Sequence, residues 1–308
     1  MGYKMSVRLC SVSVDLDEID CYLKIHGLTS GARSHAVYDR ALERISVFAT
    51  NLNLPLTLFV VGRDLLRESN VVGLRRMLSQ GHEVGNHSLD HLYDLTRRDA
   101  REQEHQVVAA NMRIKALLGV QPTGFRAPGY TVTDGLMRVV RDCGLEYDSS
   151  VFPCPPYYAA KAAVRLRMKL QRRNSGSVMD HPRVLLAPTA PYRMGGHYWL
   201  AGAGLLELPI QVAGTLRLPF IGTSLTLLGR PGARLLARSL VGLDFVNLEL
   251  HGLDFLESSE VPETLSSTQR DLRVPLARKL ESLTAAVQTL RAHRYSMLRL
   301  DEAAKAFS

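Results

Sequence analysis

Two histidines four residues apart, in Asn86-His87-Ser88-Leu89-Asp90-His91, have the spacing with which one short element offers two imidazoles to a single metal ion. A helix starting after Asn86 stacks residues i and i+4 on one face. The spacing therefore predicts His87 and His91 at the handover from a short strand, Glu83-Val84-Gly85, to a helix. Spacing alone is weak evidence, because ten histidines in 308 residues readily produce one such pair, and two surface histidines at a helix start are the plainer reading. Four other groups have the type and place to join them: Asp15 and Asp17, Arg126, Asp148, and His251. Asp15 and Asp17 leave a valine-rich strand and share a face while the chain stays extended. Buried carboxylates are costly, so they signal a solvated acidic turn, a cap or a site. His251 closes an apolar run, Phe245 to Gly252, and titrates in the range useful for proton transfer.

The elements that must position these groups follow one rhythm. Residues 7–14 alternate and read as a strand. Residues 35–52 read as a helix with Val37, Ala41, Leu42, Ile45 and Phe48 on its apolar side. Residues 55–62 are almost wholly apolar, the mark of a parallel strand covered on both faces. Helix 64–80 stops at Gly81, and helix 97–118, with Val107, Val108, Met112 and Leu117 as its stripe, stops at Gly119. A strand from Gly124 ends in the Pro128-Gly129 turn. Helix 133–143 and strand 145–150 follow. The rhythm breaks over 152–204: 157–173 is a basic helix with Tyr158, Ala162, Leu166, Met168 and Leu170 among its cations, and 174–198 is a long loop of the kind that forms lids or substrate walls. It resumes with strand 205–212, helix 231–240, strand 245–252, helix 270–292 and strand 295–300. Strand and helix in alternation with short links predict a parallel α/β architecture, barrel or open sheet, with its chemistry at the carboxyl ends of the strands. The chain reads as a single domain over 1–308 with an insertion at 152–204.

Composition narrows the class. The chain is 46% hydrophobic and 22% charged, an ordinary globular profile. A net charge of +8 favours anionic partners. The cations are spread along the chain without an aromatic–basic recognition motif, which argues against nucleic acid. Cys10, Cys21, Cys143 and Cys154 form no C-x-x-C pair and read as reduced thiols. No secretory leader is visible in residues 1–14 and no apolar run is long enough to span a bilayer, so the expected location is cytoplasmic, with 157–173 able to rest on an anionic membrane face.

The order of the groups, an acidic strand end, H-x-x-x-H, R-x-P-x-Y, an Asp on a strand and a strand ending Leu-x-Leu-His, resembles the polysaccharide deacetylase family, the NodB-like carbohydrate esterases. The resemblance covers about residues 7–150 and 205–303. It implies a distorted (β/α) barrel of the NodB-homology type around one divalent metal, usually zinc, with cobalt, nickel or manganese as substitutes. His87 and His91 match the metal histidines. The family pattern opens with two adjacent aspartates, whereas this chain has Asp15-Leu16-Asp17; the resemblance makes Asp15 the base and Asp17 the third ligand, while spacing by itself leaves the two interchangeable. Arg126 matches the arginine that orients the base, Tyr130 the residue whose backbone N–H helps hold the oxyanion, Asp148 the aspartate that tunes the catalytic histidine, and His251 the general acid. The tryptophan that often accompanies the tuning aspartate is absent.

Two imidazoles and one carboxylate leave an open position on the metal for water, so the implied reaction is hydrolysis of an N-acetyl group from an amino sugar. A deformylase acting on a lipid-linked sugar, in a branch that also carries D-x-D, is the second reading. A non-catalytic carbohydrate- or membrane-surface-binding protein is the third. The charge fits a nucleotide-linked or polyprenyl-phosphate-linked sugar as substrate. Each group also has a plainer role: His251 bonded to Asp254, Arg126 paired with a surface carboxylate, and Asp148 with Ser149-Ser150 as a helix N-cap.

Overall fold

The computed structural model describes residues 8–28 and 34–308; Val7, the expected first residue of the opening strand, and the first half of the stretch read for a leader lie outside them. The strands are β1 (Arg8–Asp15), β2 (Leu56–Val60), β3 (Glu83–Asn86), β4 (Gly124–Phe125), β5 (Tyr147–Asp148), β6 (Tyr192–Met194), β7 (Ala201–Glu207), β8 (Val212–Ala213), β9 (Leu218–Pro219), β10 (Phe245–His251) and β11 (Tyr295–Met297). The helices are α1 (Ile19–Ile25), α2 (Leu42–Asn51), α3 (Glu68–Ser79), α4 (Ala100–Leu118), α5 (Asp134–Asp142), α6 (Pro155–Leu170), α7 (Gly222–Arg238), α8 (Glu263–Ser266), α9 (Leu276–Ala292) and α10 (Leu300–Ala306).

Nine strands form one sheet in the order β10-β1-β2-β3-β4-β5-β7-β6, with β11 beside the first half of β1. Every pairing is parallel except β6 with β7. The sheet curls into a half-barrel whose two ends meet through single bonds instead of a strand ladder. Gln211 N–H donates to Asn247 O at 3.1 Å, and the Asn247 amide donates to the carbonyls of Leu208 and Pro209 at 2.9 and 3.2 Å. The expected distorted barrel is therefore present as a curled sheet pinned across its gap.

Binary patterning explains why this curl makes a site. On β1, Cys10, Val12 and Val14 face the main hydrophobic core under the helices, and on β10 Val246, Leu248 and Leu250 do the same. Period-two alternation turns Ser11, Ser13 and Asp15, and Asn247, Glu249 and His251, to the inner face. The register sets Ser13 beside Glu249 and Asp15 beside His251. The interior of the half-barrel is thus polar near its carboxyl end, and these polar residues are buried or nearly so.

The structure corrects several sequence expectations. No helix follows Asn86: residues 87–94 are irregular, with a bend and a turn, and Ser88 and His91 have φ of 62° and 53°. In α4, Met112 is exposed and Leu117 only half-buried; the buried face is Gln103, Gln106, Val107, Ala110, Asn111, Ile114 and Leu118. Hydrophobicity misplaced that face because it carries amides that bond inward. The 174–198 loop contains a 3-10 turn, Pro182–Leu186, and the edge strand β6, whose partner β7 begins at Ala201 instead of Leu205. The expected helix 231–240 is the second half of α7, which kinks at Gly229 (φ 65°), where Pro231 can begin a new turn without breaking a bond. The long helix expected over 270–292 starts at Leu276, after Pro275, and the last strand ends at Met297. In α6, Tyr158 and Met168 are buried while Leu166 and Leu170 are exposed. Among the described residues, no helix is long and apolar enough to cross a membrane, and all four cysteines are free.

Candidate active site

The histidine pair reaches its place through a turn held by side-chain amides. Asn86 donates from its amide to Asn111 Oδ1 at 2.7 Å and to Val107 O at 2.9 Å, both on α4. Its Oδ1 accepts Ser88 N–H at 2.7 Å, and Ser88 Oγ accepts His91 N–H at 3.1 Å. Gln106 accepts Asp90 N–H at 2.9 Å. Turn bonds of this kind stand in for the expected helix and tolerate the two positive φ values. The result is a pair of rings 4.8 Å apart.

Three groups converge here. Asp17 Oδ1 lies 3.0 Å from His87 Nε2 and 3.2 Å from His91 Nε2. His87 Nδ1 is 2.7 Å from Arg126 O. A carbonyl can only accept, so Nδ1 carries the proton and Nε2 presents a lone pair toward Asp17. Asp17 Oδ1, His87 Nε2 and His91 Nε2 are all buried and none has a hydrogen-bond partner. Buried polar atoms are normally satisfied. A carboxylate and two imidazoles left unsatisfied while facing one point fit a divalent cation, and the donor set of two nitrogens and one oxygen is a catalytic type, three ligands with room for a fourth.

Asp15 sits beside that group but belongs to another. Its Oδ1 accepts Arg126 Nη1 at 2.8 Å, and its Oδ2 is 3.8 Å from His87 Nε2. The two aspartates are driven in opposite directions. Burial raises the Asp15 carboxyl, and the charges of Arg126 and His87 only partly offset it. Burial also raises Asp17, but His91 and His87 outweigh it and hold the carboxyl well below the usual range. Asp17 is the more acidic and Asp15 the more basic, a separation that suits different roles.

Arg126 is fully buried and ties the interior together. Nη1 donates to Ser13 Oγ and Asp15 Oδ1, both at 2.8 Å; Nε and Nη2 donate to Ser149 O and Oγ, both at 2.7 Å. Its guanidinium carbon lies 4.3 Å from the centre of the Phe59 ring. It is not the arginine of a surface ion pair.

His251 faces the same space from β10. Its Nδ1 is 2.9 Å from Glu249 Oε1 and its Nε2 is 3.1 Å from the Tyr130 hydroxyl. Asp254, the plainer partner, accepts the His251 backbone N–H at 2.8 Å and leaves the ring free. Burial lowers the imidazole, but Glu249 first, then Asp15 and Asp17, raise it further, and the net shift is well above its ordinary value.

Two sequence assignments take a different form in the structure. Asp148 bonds Ser150 through N (3.1 Å) and Oγ (2.7 Å) and pairs across the sheet with Glu207, while the carboxylate beside His251 is Glu249. Asp148 acts through Ser150, whose Oγ accepts Ala127 N–H at 2.8 Å, so it braces the Arg126-Ala127-Pro128 turn; no helix begins there for it to cap. The Tyr130 backbone N–H donates to Ala127 O at 3.1 Å, because Pro128–Tyr130 folds as a tight 3-10 turn with Gly129 at φ 63° and Tyr130 at φ 56°. The Tyr130 hydroxyl, not its N–H, meets the site. Reading by motif missed Glu249, Ser13, Ser149 and the amides of α4. Glu249 had a signal: in Leu248-Glu249-Leu250-His251 it shares the inner face with His251.

Residues 38–147 match the family model described as polysaccharide deacetylase. The chitooligosaccharide deacetylase of Sinorhizobium fredii (strain NBRC 101917 / NGR234) is 34% identical over 104 residues, which is 33% of this chain and 46% of that one. The peptidoglycan deacetylase of Helicobacter pylori (strain ATCC 700392 / 26695) is 25% identical over 156 residues, 49% of this chain and 52% of that one. The chain thus spans about half the length of the curated relatives it matches. Among solved structures, a probable polysaccharide deacetylase from Pseudomonas aeruginosa PAO1 superposes with a TM-score of 0.61 at 14% identity, over 97% of this chain and 90% of that one. The fold is thus the curled α/β half-barrel of NodB-type structures. Residues 38–147 carry the match to the polysaccharide deacetylase family, and the fold around them is the one that solved deacetylase structures share. The matched segment contains His87, His91, Arg126 and Tyr130; Asp15, Asp17, Glu249 and His251 lie outside it and join it through the sheet.

Proposed function

We propose that this protein is a metal-dependent hydrolase that removes the N-acetyl group of an amino sugar. The observation that carries the reading is the unsatisfied, buried convergence of Asp17, His87 and His91 next to a second buried carboxylate, Asp15, that lies outside this donor set. A divalent ion, zinc by donor type, supplies Lewis acidity and an acidified water when bound at Asp17, His87 and His91. The chain's own groups do the proton work. Asp15, whose carboxyl burial makes more basic, accepts the proton of the attacking water. Arg126 holds its Oδ1 and leaves Oδ2 toward His87. His251, protonated over a wide pH range beside Glu249, delivers a proton to the leaving amine from Nε2. Tyr130 keeps that nitrogen aimed through its hydroxyl. The products are a free amino sugar and acetate; a formyl group in place of acetyl gives the second reading at the same atoms.

Amine release from N-acetylated and N-formylated sugars by the zinc-loaded protein tests this. Asp15→Asn is expected to reduce the rate by about 10²–10⁴-fold while zinc stays bound. No release from any such sugar by zinc-replete protein removes the hydrolase reading.

Glu249 gives a pH prediction. Rate requires protonated His251, so it falls as pH rises through the histidine's pKa. Glu249 raises that pKa; Glu249→Gln removes the largest raising influence. The alkaline limb of kcat is therefore expected to move to lower pH, with the acid limb less affected. An unchanged alkaline limb excludes Glu249 from this role.

A further inference from the structure

The cavity whose floor is Asp15, Asp17, Tyr130 and His251 has a volume of about 920 Å³. Its remaining lining is strongly basic: Lys161 and Arg167 from α6, Arg173 just after it, and Arg270 and Arg273 ahead of α9. Three carboxylates line the cavity, and each is engaged elsewhere. Asp15 pairs with Arg126 and Asp17 with the histidines, while Asp271 is buried in the field of Lys279. Among the described residues, Lys161, Arg167, Arg270 and Arg273 have no carboxylate at ion-pair distance. Arg173 is tied to the His26 carbonyl.

Lys161 is the most telling. It is partly buried, its Nζ donates to Gly129 O at 3.1 Å, and it lies 5.5 Å from the Tyr157 ring. Burial pushes its ammonium down to about 8, against the partial support of Asp180. Asp180 is already committed to the Tyr198 hydroxyl and to the N–H groups of His181 and Val132. A cation withdrawn from water without a counter-ion is unfavourable unless a ligand brings one. Three exposed guanidinium groups on the same cavity, Arg167, Arg270 and Arg273, add donor forks of the shape that phosphate oxygens accept. A neutral glycan offers these four cations hydrogen-bond acceptors but no counter-charge.

We propose that the cavity binds its N-acyl sugar through a phosphate group on that sugar, with Lys161, Arg167, Arg270 and Arg273 forming the anion subsite. The inference deepens the deacylase reading and rests on it for the position of the acyl group. Lys161 also links the two halves of the cavity, since it bonds the Gly129 carbonyl next to Tyr130.

Calorimetry on the zinc-loaded Asp15→Asn protein, in which turnover is suppressed while zinc stays bound, tests the subsite. The probes are N-acetylglucosamine, N-acetylglucosamine 1-phosphate, UDP-N-acetylglucosamine and a short polyprenyl-diphosphate-linked N-acetylglucosamine in detergent. The phosphorylated sugars are expected to bind about 10- to 100-fold more tightly than the neutral one. The preference should shrink with added salt and fall toward one in Arg270→Gln/Arg273→Gln, whose changes touch no backbone bond of the site, and in Lys161→Gln. Equal affinity for neutral and phosphorylated sugars, or an unaltered preference in both variants, overturns the proposal. A higher affinity for the nucleotide-linked or for the lipid-linked probe identifies the source of the phosphate; either supports the subsite. Amine release is scored separately, on the protein with Asp15 intact. Preference without release keeps the anion subsite and removes the deacylase reading, whereas release without preference removes the subsite alone.

Discussion

Replacing His87 and His91 together by alanine is expected to abolish both metal binding and amine release. The pair supplies two of three donors, and Asp17 alone, a single carboxylate oxygen, does not retain a transition-type ion against water. Loss of Lewis-acid stabilisation of several kcal/mol corresponds to a fall of about 10³-fold or more in kcat. The variant should still fold. The turn that carries the rings is held mainly by Asn86, Ser88 and Gln106, so removing the imidazoles leaves most of its bonds in place. A readout besides activity separates the causes. An ion that binds only the native state stabilises it by mass action, about 2.7 kcal/mol at a concentration a hundredfold above Kd. A chelator should therefore lower the melting temperature of the wild type and leave the double variant unmoved. Elemental analysis should show about one ion per chain in the wild type. Wild-type protein that takes up neither zinc, cobalt, nickel nor manganese excludes the metal site.

Arg126→Met should have the largest effect on stability and also cost most of the activity. The arginine makes four bonds inside the half-barrel and is fully buried. Its removal leaves the Asp15 carboxylate buried without its principal partner, and deleting one member of a buried ion pair costs about 3–5 kcal/mol. Arg126 is also the strongest influence lowering the Asp15 carboxyl. Without it, Asp15 keeps its proton to higher pH, and a base that must be ionised fails there. The acid limb of the pH–rate profile is thus expected to move to higher pH, opposite in direction to the Glu249→Gln effect on the alkaline limb. Arg126→Lys preserves the charge but reaches one acceptor where the fork reaches Ser13, Asp15 and Ser149, so it should recover stability more than rate. Denaturant unfolding and pH–rate profiles on both variants check this. Wild-type stability in Arg126→Met would mean that the interior rearranges to solvate Asp15.

Much of this architecture was readable from the chain, because local chemistry and period settle it. The alternation of β1 and the apolar run of β2 announce strands covered on one face or both, and Gly81 and Gly119 stop helices where a positive φ is needed. The order of Asp15, Asp17, His87, His91, Arg126 and His251 carries enough chemistry to show a resemblance to a family. What lay beyond sequence is whatever depends on which strands become neighbours. Glu249 matters because β10 pairs with β1 in the register that sets Asp15 beside His251. Asp148 braces a turn because its strand neighbour is β7 and not β10. The face of α4 was misjudged because its inward amides bond the histidine turn, a tertiary demand that hydrophobic period cannot express. The basic residues of α6 and those ahead of α9 are about a hundred positions apart in sequence, and only the folded chain lines one cavity with both. A sequence states which groups are present and how each short segment prefers to lie. Distances between unpaired charges and their counter-ions exist only once the sheet has curled and closed around them.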